Sequence, residues 1–358
     1  MALAFGFLCT AGRAAVVSLN SLIADNATYH ITNVNSYYIL TNDVVWSSTN
    51  TNATAPIAIV ADDVDLDLNG FTISATNSAT SEGNLAGIII SNAATVAVTD
   101  GTIRGFRRNG VSVVGGAQIW LGNLTIADID NPTTNAPNFV EDLLNPTAGI
   151  SIEGGLGVIV SSVVISNVSG GPNVMSVAGL DALLAPGLQV IGTTVTGVSN
   201  SVAVGDAKNL CNAMSVLYSP DVTFSNITVA NVVGNSNTAT ANGLVTYSSA
   251  NFQLLGSSTA SNTISGITNY GGVAAGISGT QVSGMTVRHT RVSDLFAGQD
   301  WTNNLIGHTV LGMVFAPLKG FPLGIANITV TNGGSGYTSA PTVTVSPVAN
   351  DKGAGAQA

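Results

Sequence analysis

A short apolar pattern of constant length recurs along this chain. Each copy begins at a glycine or alanine and ends 16 positions later at an isoleucine or valine. Apolar residues stand 1, 3, 9 and 11 positions after the first residue. Five successive copies are Gly87–Ile103, Gly110–Ile126, Gly149–Ile165, Gly179–Val195 and Ala213–Val229. Alternation with a period of two over short stretches indicates β-strands and not helices.

Repetition of one such unit predicts a solenoid, in which each coil packs only on its neighbours. We predict an all-β chain folded as a parallel β-helix, with three short strands in each of about nine coils. The alternation also predicts which side chains form the interior stacks. The expected core contains Ile88, Val96, Ile103, Ile119, Ile126, Val158, Ile165, Val190 and Val222.

Outside the five regular copies the pattern is less uniform. An earlier copy of the same length is predicted at Ile57–Ile73. Farther along, Gly243–Ile264 spans 21 positions and Gly276–Val287 only 11. A last copy, Gly312–Ile328, again spans 16, but its two prolines favour a terminal cap over a regular strand.

The composition fits such a solenoid and excludes some functions. Hydrophobic residues make up 45% of the chain and charged residues only 8%, so hydroxyl and amide side chains must cover most of the surface. With nine Lys and Arg and a net charge of −10, the chain lacks the cationic contacts that nucleic-acid binding requires. Arg104, Arg107 and Arg108 are interpreted as an exposed turn cluster in preference to an anion site.

The sequence favours export from the cell. Residues 1–15 resemble the apolar region and small-residue exit of a secretory signal peptide, although a basic start is missing. Beyond them, no run approaches the roughly 18 apolar residues that a membrane span needs. Two cysteines are too few for a disulfide framework, so Cys211 is expected to be a buried thiol.

Residues 37–43 (YYILTND), 64–73 (VDLDLNGFTI) and 100–106 (DGTIRGF) carry a family resemblance. These motifs resemble the bacterial pectin-lyase-like right-handed parallel β-helix proteins. The resemblance covers roughly residues 25–330 and implies a right-handed helix in a secreted protein. It says little about activity, because the superfamily contains lyases, hydrolases, phage tailspikes and adhesins.

The resemblance and the repeats together predict four regions. Residues 1–15 are the signal remnant, 16–56 an N-terminal cap with entry strands, and 57–330 the β-helix. Residues 331–358, which include Gly-Ser-Gly-Tyr-Thr-Ser-Ala-Pro, resemble the start of an extracellular β-repeat of bacteria and phages. We expect both ends of the helix to cover its open strand edges or to offer them to a neighbouring molecule.

Insertions concentrate at one corner of the coil, after the terminal Ile or Val. In a stacked solenoid such excursions collect on one face, where repeat proteins usually bind. If this face were catalytic, acids from several coils would have to converge there. The candidates are Asp128, Asp130, Glu141, Asp142, Asp206, Asp294 and Asp300. If it only binds or packs, we expect scattered acids, with Tyr, Trp or rows of Asn and Thr as the contact surface.

Two metal hypotheses are weak. Asp62, Asp63, Asp65 and Asp67 offer oxygen ligands for Ca²⁺, but all belong to one coil. The alternation with Val64, Leu66 and Leu68 instead predicts that Asp65 and Asp67 face outward. The histidines, His30, His289 and His308, lack the spacing of a zinc site. No cofactor and no metal site is therefore predicted, and no catalytic residue is assigned.

We expect a secreted or cell-surface structural or binding protein, part of a fibre or adhesin-like assembly. Its partners would be a surface glycan or other copies of itself, with no nucleic acid and no membrane span. The alternative is a polysaccharide lyase or glycoside hydrolase that uses the excursion face. The sparse charges and the missing hydrolase signatures favour binding over turnover.

Overall fold

The computed structural model describes residues 16–50, 52–76, 85–132, 146–202, 209–298 and 309–317, and β-strands form the regular structure there. The strands are β1 (Val16–Ser18), β2 (Tyr29–Ile31), β3 (Ser36–Ile39), β4 (Val44–Trp46), β5 (Ile57–Ile59), β6 (Val64–Asp67), β7 (Thr72–Ala75), β8 (Ala86–Ser91), β9 (Ala94–Arg104), β10 (Asn109–Val114), β11 (Ala117–Asn131), β12 (Thr147–Glu153), β13 (Ile159–Ser161), β14 (Val164–Gly170), β15 (Ser176–Leu183), β16 (Gln189–Ile191), β17 (Thr194–Asn200), β18 (Leu210–Leu217), β19 (Thr223–Ser225), β20 (Thr228–Gly234), β21 (Thr240–Tyr247), β22 (Gln253–Leu255), β23 (Asn262–Asn269), β24 (Val273–Val282), β25 (Thr286–Arg288), β26 (Thr290–Ala297) and β27 (Thr309–Pro317).

The strands stack in three parallel ladders, one for each side of the coil. Ladder I contains β1, β3, β6, β9, β11, β13, β16, β19, β22 and β25. Ladder II contains β4, β7, β9, β11, β14, β17, β20, β23 and β26, and shares the long strands β9 and β11 with ladder I. Ladder III contains β2, β5, β8, β10, β12, β15, β18, β21, β24 and β27. This is the predicted right-handed parallel β-helix, with three strands in a coil.

The register of the ladders reproduces the sequence repeat. On ladder III, Val111 pairs with both Ile88 and Ile150, and the series continues through Leu180 and Met214. All nine residues of the expected core have no exposed surface. The interior also contains a position that the pattern did not single out, three residues after the terminal Ile or Val: Ile129, Val168, Val198, Val232 and Ile267.

In the repeats that begin with glycine, one contact explains both end residues. A Cβ added at Gly149 would lie 2.3 Å from Cγ2 of Ile165 and 2.7 Å from the carbonyl oxygen of Gly179. The glycine therefore leaves room for the β-branched side chain that ends the same repeat. The same arrangement is present at Gly87, Gly110, Gly179, Gly243 and Gly276.

Two predicted copies need correction. Val287 pairs with Leu254 at the position 11 residues after the first, and Val292 pairs with Ile264 as the true terminal residue. The copy therefore runs from Gly276 to Val292 and has full length. The residues of its last strand are polar or charged in part, which hid the pattern.

The copy Ile57–Ile73 is matched in its last residue but not in its first. Ile73 pairs with Ile103, whereas Ile57 pairs with Ile88 and not with Gly87. The extra length lies in the turn Leu68–Phe71, where Gly70 has a φ of 80°. Counting positions from Ile57 therefore assigns the residues before Ile73 to the wrong places in the repeat.

Turns between ladders use left-handed backbone conformations at a repeated position. Asp100, Asn123, Ser162, Gly192 and Asn226 stand 13 residues after the first residue of their repeats and have φ values of 52–62°. Asn and Asp tolerate this conformation better than other residues with side chains. The Asn123 amide also donates to Oδ1 of Asp100 in the preceding coil, at 3.1 Å. The predicted structural role of these polar residues is confirmed.

The first and last described coils belong to the same ladders. Strands β1 to β4 pair in parallel with the strands that follow them, and β27 pairs with β24. Met313 stands at the interior position of β27 but is 41% exposed, whereas its partner Ile277 is fully buried. The rest of the expected cap, from residue 318 onward, lies outside the described residues, as do residues 1–15.

Candidate functional site

Of the acids predicted for the excursion face, the three that the structure describes do not converge. Asp128 and Asp130 lie on β11, which continues past Ile126 as a strand, so their expected position in a loop is wrong. Both are exposed and accept hydrogen bonds from the next coil, from Asn167 at 3.1 Å and Ser169 at 2.7 Å. Asp294 occupies the equivalent ladder position five strands away, about 24 Å at the usual strand spacing. Glu141, Asp142, Asp206 and Asp300 lie outside the described residues.

An open groove of about 240 Å³ lies instead on the outer face of ladder I. It is lined by Tyr37, Asp65, Leu66, Asp67, Ala97, Thr99 and Trp120. The sequence alternation explains its composition, because Val64, Leu66 and Leu68 point inward and leave the two aspartates outside, as predicted. We call this site the ladder I groove.

Strand register brings the lining residues together from four coils. Tyr37 pairs with Asp65, Asp65 with Ala97, and Ala97 with Trp120. Two strand spacings therefore separate Asp65 from Trp120, about 10 Å. The small Ala97 forms the floor between them, which leaves a depression with a carboxylate on one side and an indole ring on the other.

Hydrogen bonds hold the walls of the groove in place. The Tyr37 hydroxyl donates to Oδ2 of Asp67 at 2.8 Å, and the Asn69 backbone N–H donates to Oδ1 at 2.7 Å. The Trp120 Nε1–H donates to Oγ of Ser161 at 3.0 Å. The indole also lies over Gly122, since a Cβ added there would meet the ring at 2.8 Å. The aromatic ring is therefore positioned by its own strand and by the next coil.

A second acidic site lies on the outer side of ladder III. Asp181 is between Leu180 and Ala182, whose side chains point inward, yet it is itself only 4% exposed. The pKa of its carboxyl is raised to about 7, chiefly by burial; a hydrogen bond with Ser215 opposes the rise, and the charge of Glu153 adds to it. This carboxyl is therefore largely protonated in mildly acidic solution.

Neither site was found as a site from the sequence alone. Asp181 could have been noticed by aligning the position two residues after the start of each repeat, which reads Ile89, Ser112, Ser151, Asp181 and Ser215. One acid in a row of small polar residues is a recognisable signal. For the ladder I groove, Asp65 and Asp67 were noticed, but Tyr37 and Trp120 are far away in sequence and only the register unites them.

The described parts of the chain contain no group of three or more His, Cys, Asp or Glu side chains placed to hold a metal ion. The four aspartates considered for Ca²⁺ divide between two places. Asp62 is at a corner, where its Oδ1 accepts from the backbone N–H of Ala94 at 2.8 Å, and Asp63 adopts a φ of 56° beside it. His30 and His289 are exposed on the second and the penultimate coils, and His308 lies outside the described residues.

The cysteine and the three arginines discussed in the sequence analysis contribute to the structure of the coils. Cys211 is a buried free thiol, and burial raises its pKa to about 12. Its Sγ lies 3.6 Å from the carbonyl oxygen of Val233, which confirms the expected structural thiol. Arg104 ends β9 and is exposed, whereas Arg107 and Arg108 are half-buried in the turn after it, around the fully buried Phe106.

Comparison with known proteins gives structural similarities only. No protein-family model and no curated protein matches the sequence. Among solved structures, the chain is similar to pectate lyase Pel9A, with 9% identity and a TM-score of 0.43 over 73% of this chain and 70% of that one. It is similar to DFA-IIIase from Arthrobacter chlorophenolicus A6, with 12% identity and a TM-score of 0.45 over 86% and 83%. It is also similar to tailspike protein 2 of bacteriophage CBA120, with 12% identity and a TM-score of 0.41 over 80% and 42%.

The part of the chain that the structure describes includes no helix with the length and hydropathy that a membrane span requires.

Proposed function

We propose that this protein is a secreted or cell-surface β-helix that binds glycans in the ladder I groove. The observation that carries the proposal is the convergence of Tyr37 and Trp120 with Asp65 and Asp67 in one open depression. Aromatic rings offer flat apolar surfaces for the C–H faces of sugar rings, and carboxylates accept hydrogen bonds from sugar hydroxyls. Binding sites of this kind combine apolar walls with a few placed polar groups.

The size and openness of the groove favour binding of a short part of a long polysaccharide over enclosure of a whole small ligand. Its volume of about 240 Å³ lies below the roughly 300–1,000 Å³ of pockets that enclose a drug-sized ligand. A polysaccharide could place one or two sugar units in it and continue along the outer face of the rod. This agrees with the expectation that Tyr and Trp form the contact surface of a binding protein, although the groove is on another face than the excursions.

The proposal is tested by measuring binding of a panel of neutral and charged oligosaccharides by calorimetry. Trp120→Ala is expected to weaken the best ligand at least about tenfold, equivalent to 1.4 kcal/mol. Gly122→Ala should weaken it too, because the added Cβ displaces the indole without removing it. The matched control is Gln189→Ala, an exposed outward residue two coils beyond Trp120 on the same ladder.

Two results would contradict glycan binding at this groove. One is the absence of binding by the folded wild type across the panel. The other is binding that Trp120→Ala leaves unchanged while circular dichroism shows the variant to be folded. A role of the rod in fibre or adhesin-like assemblies remains compatible with the proposal, because the groove occupies only one side of one end.

A second candidate function, glycoside hydrolysis, is favoured by Asp181. A general acid needs a raised pKa at neutral pH, and glycosidases place a second carboxylate about 5–10 Å away. On ladder III the lateral neighbour of Glu153 is Leu183, two residues from Asp181, so the two acidic residues are separated by about 8 Å between Cα atoms. The low exposure of Asp181 favours binding at the ladder I groove as the primary function.

Hydrolysis is tested with neutral polysaccharides and the variants Asp181→Asn and Glu153→Gln. Turnover by the wild type that both folded variants lose would establish this activity. Loss in Asp128→Ala would point back to the excursion face. We expect binding without turnover.

A further inference from the structure

The ladder I groove presents acceptors and π-surfaces, and few donors. The only hydroxyl proton of Tyr37 is donated to Asp67, so the phenol oxygen can only accept from a ligand. The indole N–H of Trp120 is likewise donated to Ser161. Each carboxylate oxygen of Asp67 accepts one described hydrogen bond and can accept another. Apart from the hydroxyl of Thr99, which can also donate, a ligand must therefore bring the donors.

The charge of the groove has one sign. Asp65 and Asp67 stand two residues apart on β6 and face the same side, with about 7 Å between their Cα atoms. Among the described residues that line the groove, none is a lysine, an arginine or a histidine. The whole chain has a net charge of −10, which adds to the negative potential. A ligand carrying a carboxylate is repelled here, whereas a cationic ligand is attracted.

The aromatic residues reinforce the preference for a cation. An ammonium group is attracted to the faces of Trp and Tyr, most strongly to Trp, when it lies within about 6 Å of the ring. Tyr37 stands at one end of the groove and Trp120 at the other, with the carboxylates between. Two carboxylates flanked by two aromatic rings are suited to a ligand that carries a protonated amine and also has an apolar face that can stack on an aromatic ring.

We infer that the ladder I groove selects glycans with free amino groups, such as polymers of unacetylated hexosamine, over neutral sugars and uronates. This inference rests on the proposed glycan binding and names its ligand class. The sugar ring stacks on Trp120, and its ammonium group binds between Asp65 and Asp67. A uronate polymer is excluded by charge, and an N-acetylated sugar loses the cationic contact but retains the stacking.

The experiment compares three hexasaccharides, of glucosamine, N-acetylglucosamine and galacturonate, by calorimetry at low ionic strength and a pH at which the amines are protonated. The glucosamine hexamer is expected to bind about tenfold or more tightly than the acetylated one, as one desolvated charge contact would give. The galacturonate hexamer should not bind. Raising the salt concentration should weaken the glucosamine complex selectively, because salt screens exposed charges.

Variants separate the charge from the stacking. Asp65→Asn and Asp67→Asn should each reduce glucosamine binding toward the level of the acetylated hexamer, while acetylated binding changes less than about twofold. Trp120→Ala should weaken both, and Gln189→Ala neither. Using both aspartate variants covers the case in which Asp67→Asn disturbs the Tyr37 and Asn69 contacts.

The possible failures are distinguishable. Equal affinity for the two glucosamine-based hexamers, or a preference that both aspartate variants retain, overturns the amino-sugar inference and leaves glycan binding in place. Tight binding of galacturonate also overturns it. Absence of binding to every hexamer and to the wider oligosaccharide panel overturns the proposed function, and the amino-sugar inference with it.

Discussion

Two strands of this β-helix carry outward aspartates in very different surroundings. On β6 of ladder I, Asp65 and Asp67 are half-exposed beside aromatic rings. On β15 of ladder III, all eight residues are buried, including the outward Asp181. The alternation of the strand is the same in both. The difference teaches that facing away from the core does not make a side chain accessible. Burial decides whether an outward acid is accessible to solvent and ligands or has a raised pKa inside the protein.

The largest expected effect that distinguishes the two faces is a pH dependence of stability caused by Asp181. Its pKa is about 7 when folded and near 3.8 when unfolded, so the unfolded state releases this proton first as the pH rises. Its contribution is complete below the unfolded pKa and is lost as the pH rises through 7. We expect the free energy of unfolding to fall by on the order of 4 kcal/mol between pH 4 and pH 8.

Urea unfolding at a series of pH values measures this fall. Asp181→Asn should remove most of it and leave the variant more stable than the wild type at pH 8. Asp67→Asn, on the exposed face, should keep the fall. A wild-type stability that does not decrease over this range would contradict the buried state of Asp181.

A smaller effect is expected at Glu153, whose charge helps to raise the pKa of Asp181. Glu153→Gln should lower that pKa, so that the stability of the variant reaches its plateau at a lower pH. The total fall should shrink by less than about 1.4 kcal/mol, the equivalent of one pKa unit. The same urea series measures it, and an unchanged midpoint would show that the two carboxyls do not interact.

The smallest effect is expected in the ladder I groove itself. Tyr37→Phe removes the hydrogen bond to Asp67, but both residues are half-exposed and water can replace the hydroxyl. We expect a loss of about 0.5 kcal/mol in stability, near the low end for an intramolecular hydrogen bond. Urea unfolding at pH 7 measures it, with Gln189→Ala at an exposed position of the same ladder as a surface control. A loss of several kcal/mol would mean that the groove is a structural element and not a binding site.

The repeat predicted the fold and the core because the same residue types make the same packing contacts in successive coils. Each Gly and each terminal Ile or Val is readable by itself, since the contact of Gly149 with Ile165 recurs in the other coils. Position counting went wrong where the chain departs from this rule. The turn at Gly70 lengthens one copy, and Val292 follows a polar strand, so neither boundary could be inferred from alternation alone.

The candidate sites were predicted less well because they depend on register between distant coils. The sequence placed Asp65 and Asp67 outside correctly, but Trp120 is 53 positions beyond Asp67 and joins it only through two intervening strand pairings. The sequence analysis also assigned Asp128 and Asp130 to a loop, because the repeat pattern ends at Ile126 and does not show that β11 continues past it.

By itself, the sequence determined the parallel β-helix, its coil, its interior stacks and the outward direction of its polar residues, because these follow from local alternation repeated at a fixed length. Only the tertiary structure decided that Tyr37 and Trp120 flank the same carboxylates and that Asp181 is buried while Asp67 is not. Lateral stacking at about 4.8 Å brings residues from separate coils into contact, and the burial of each outward position depends on what lies over its own face.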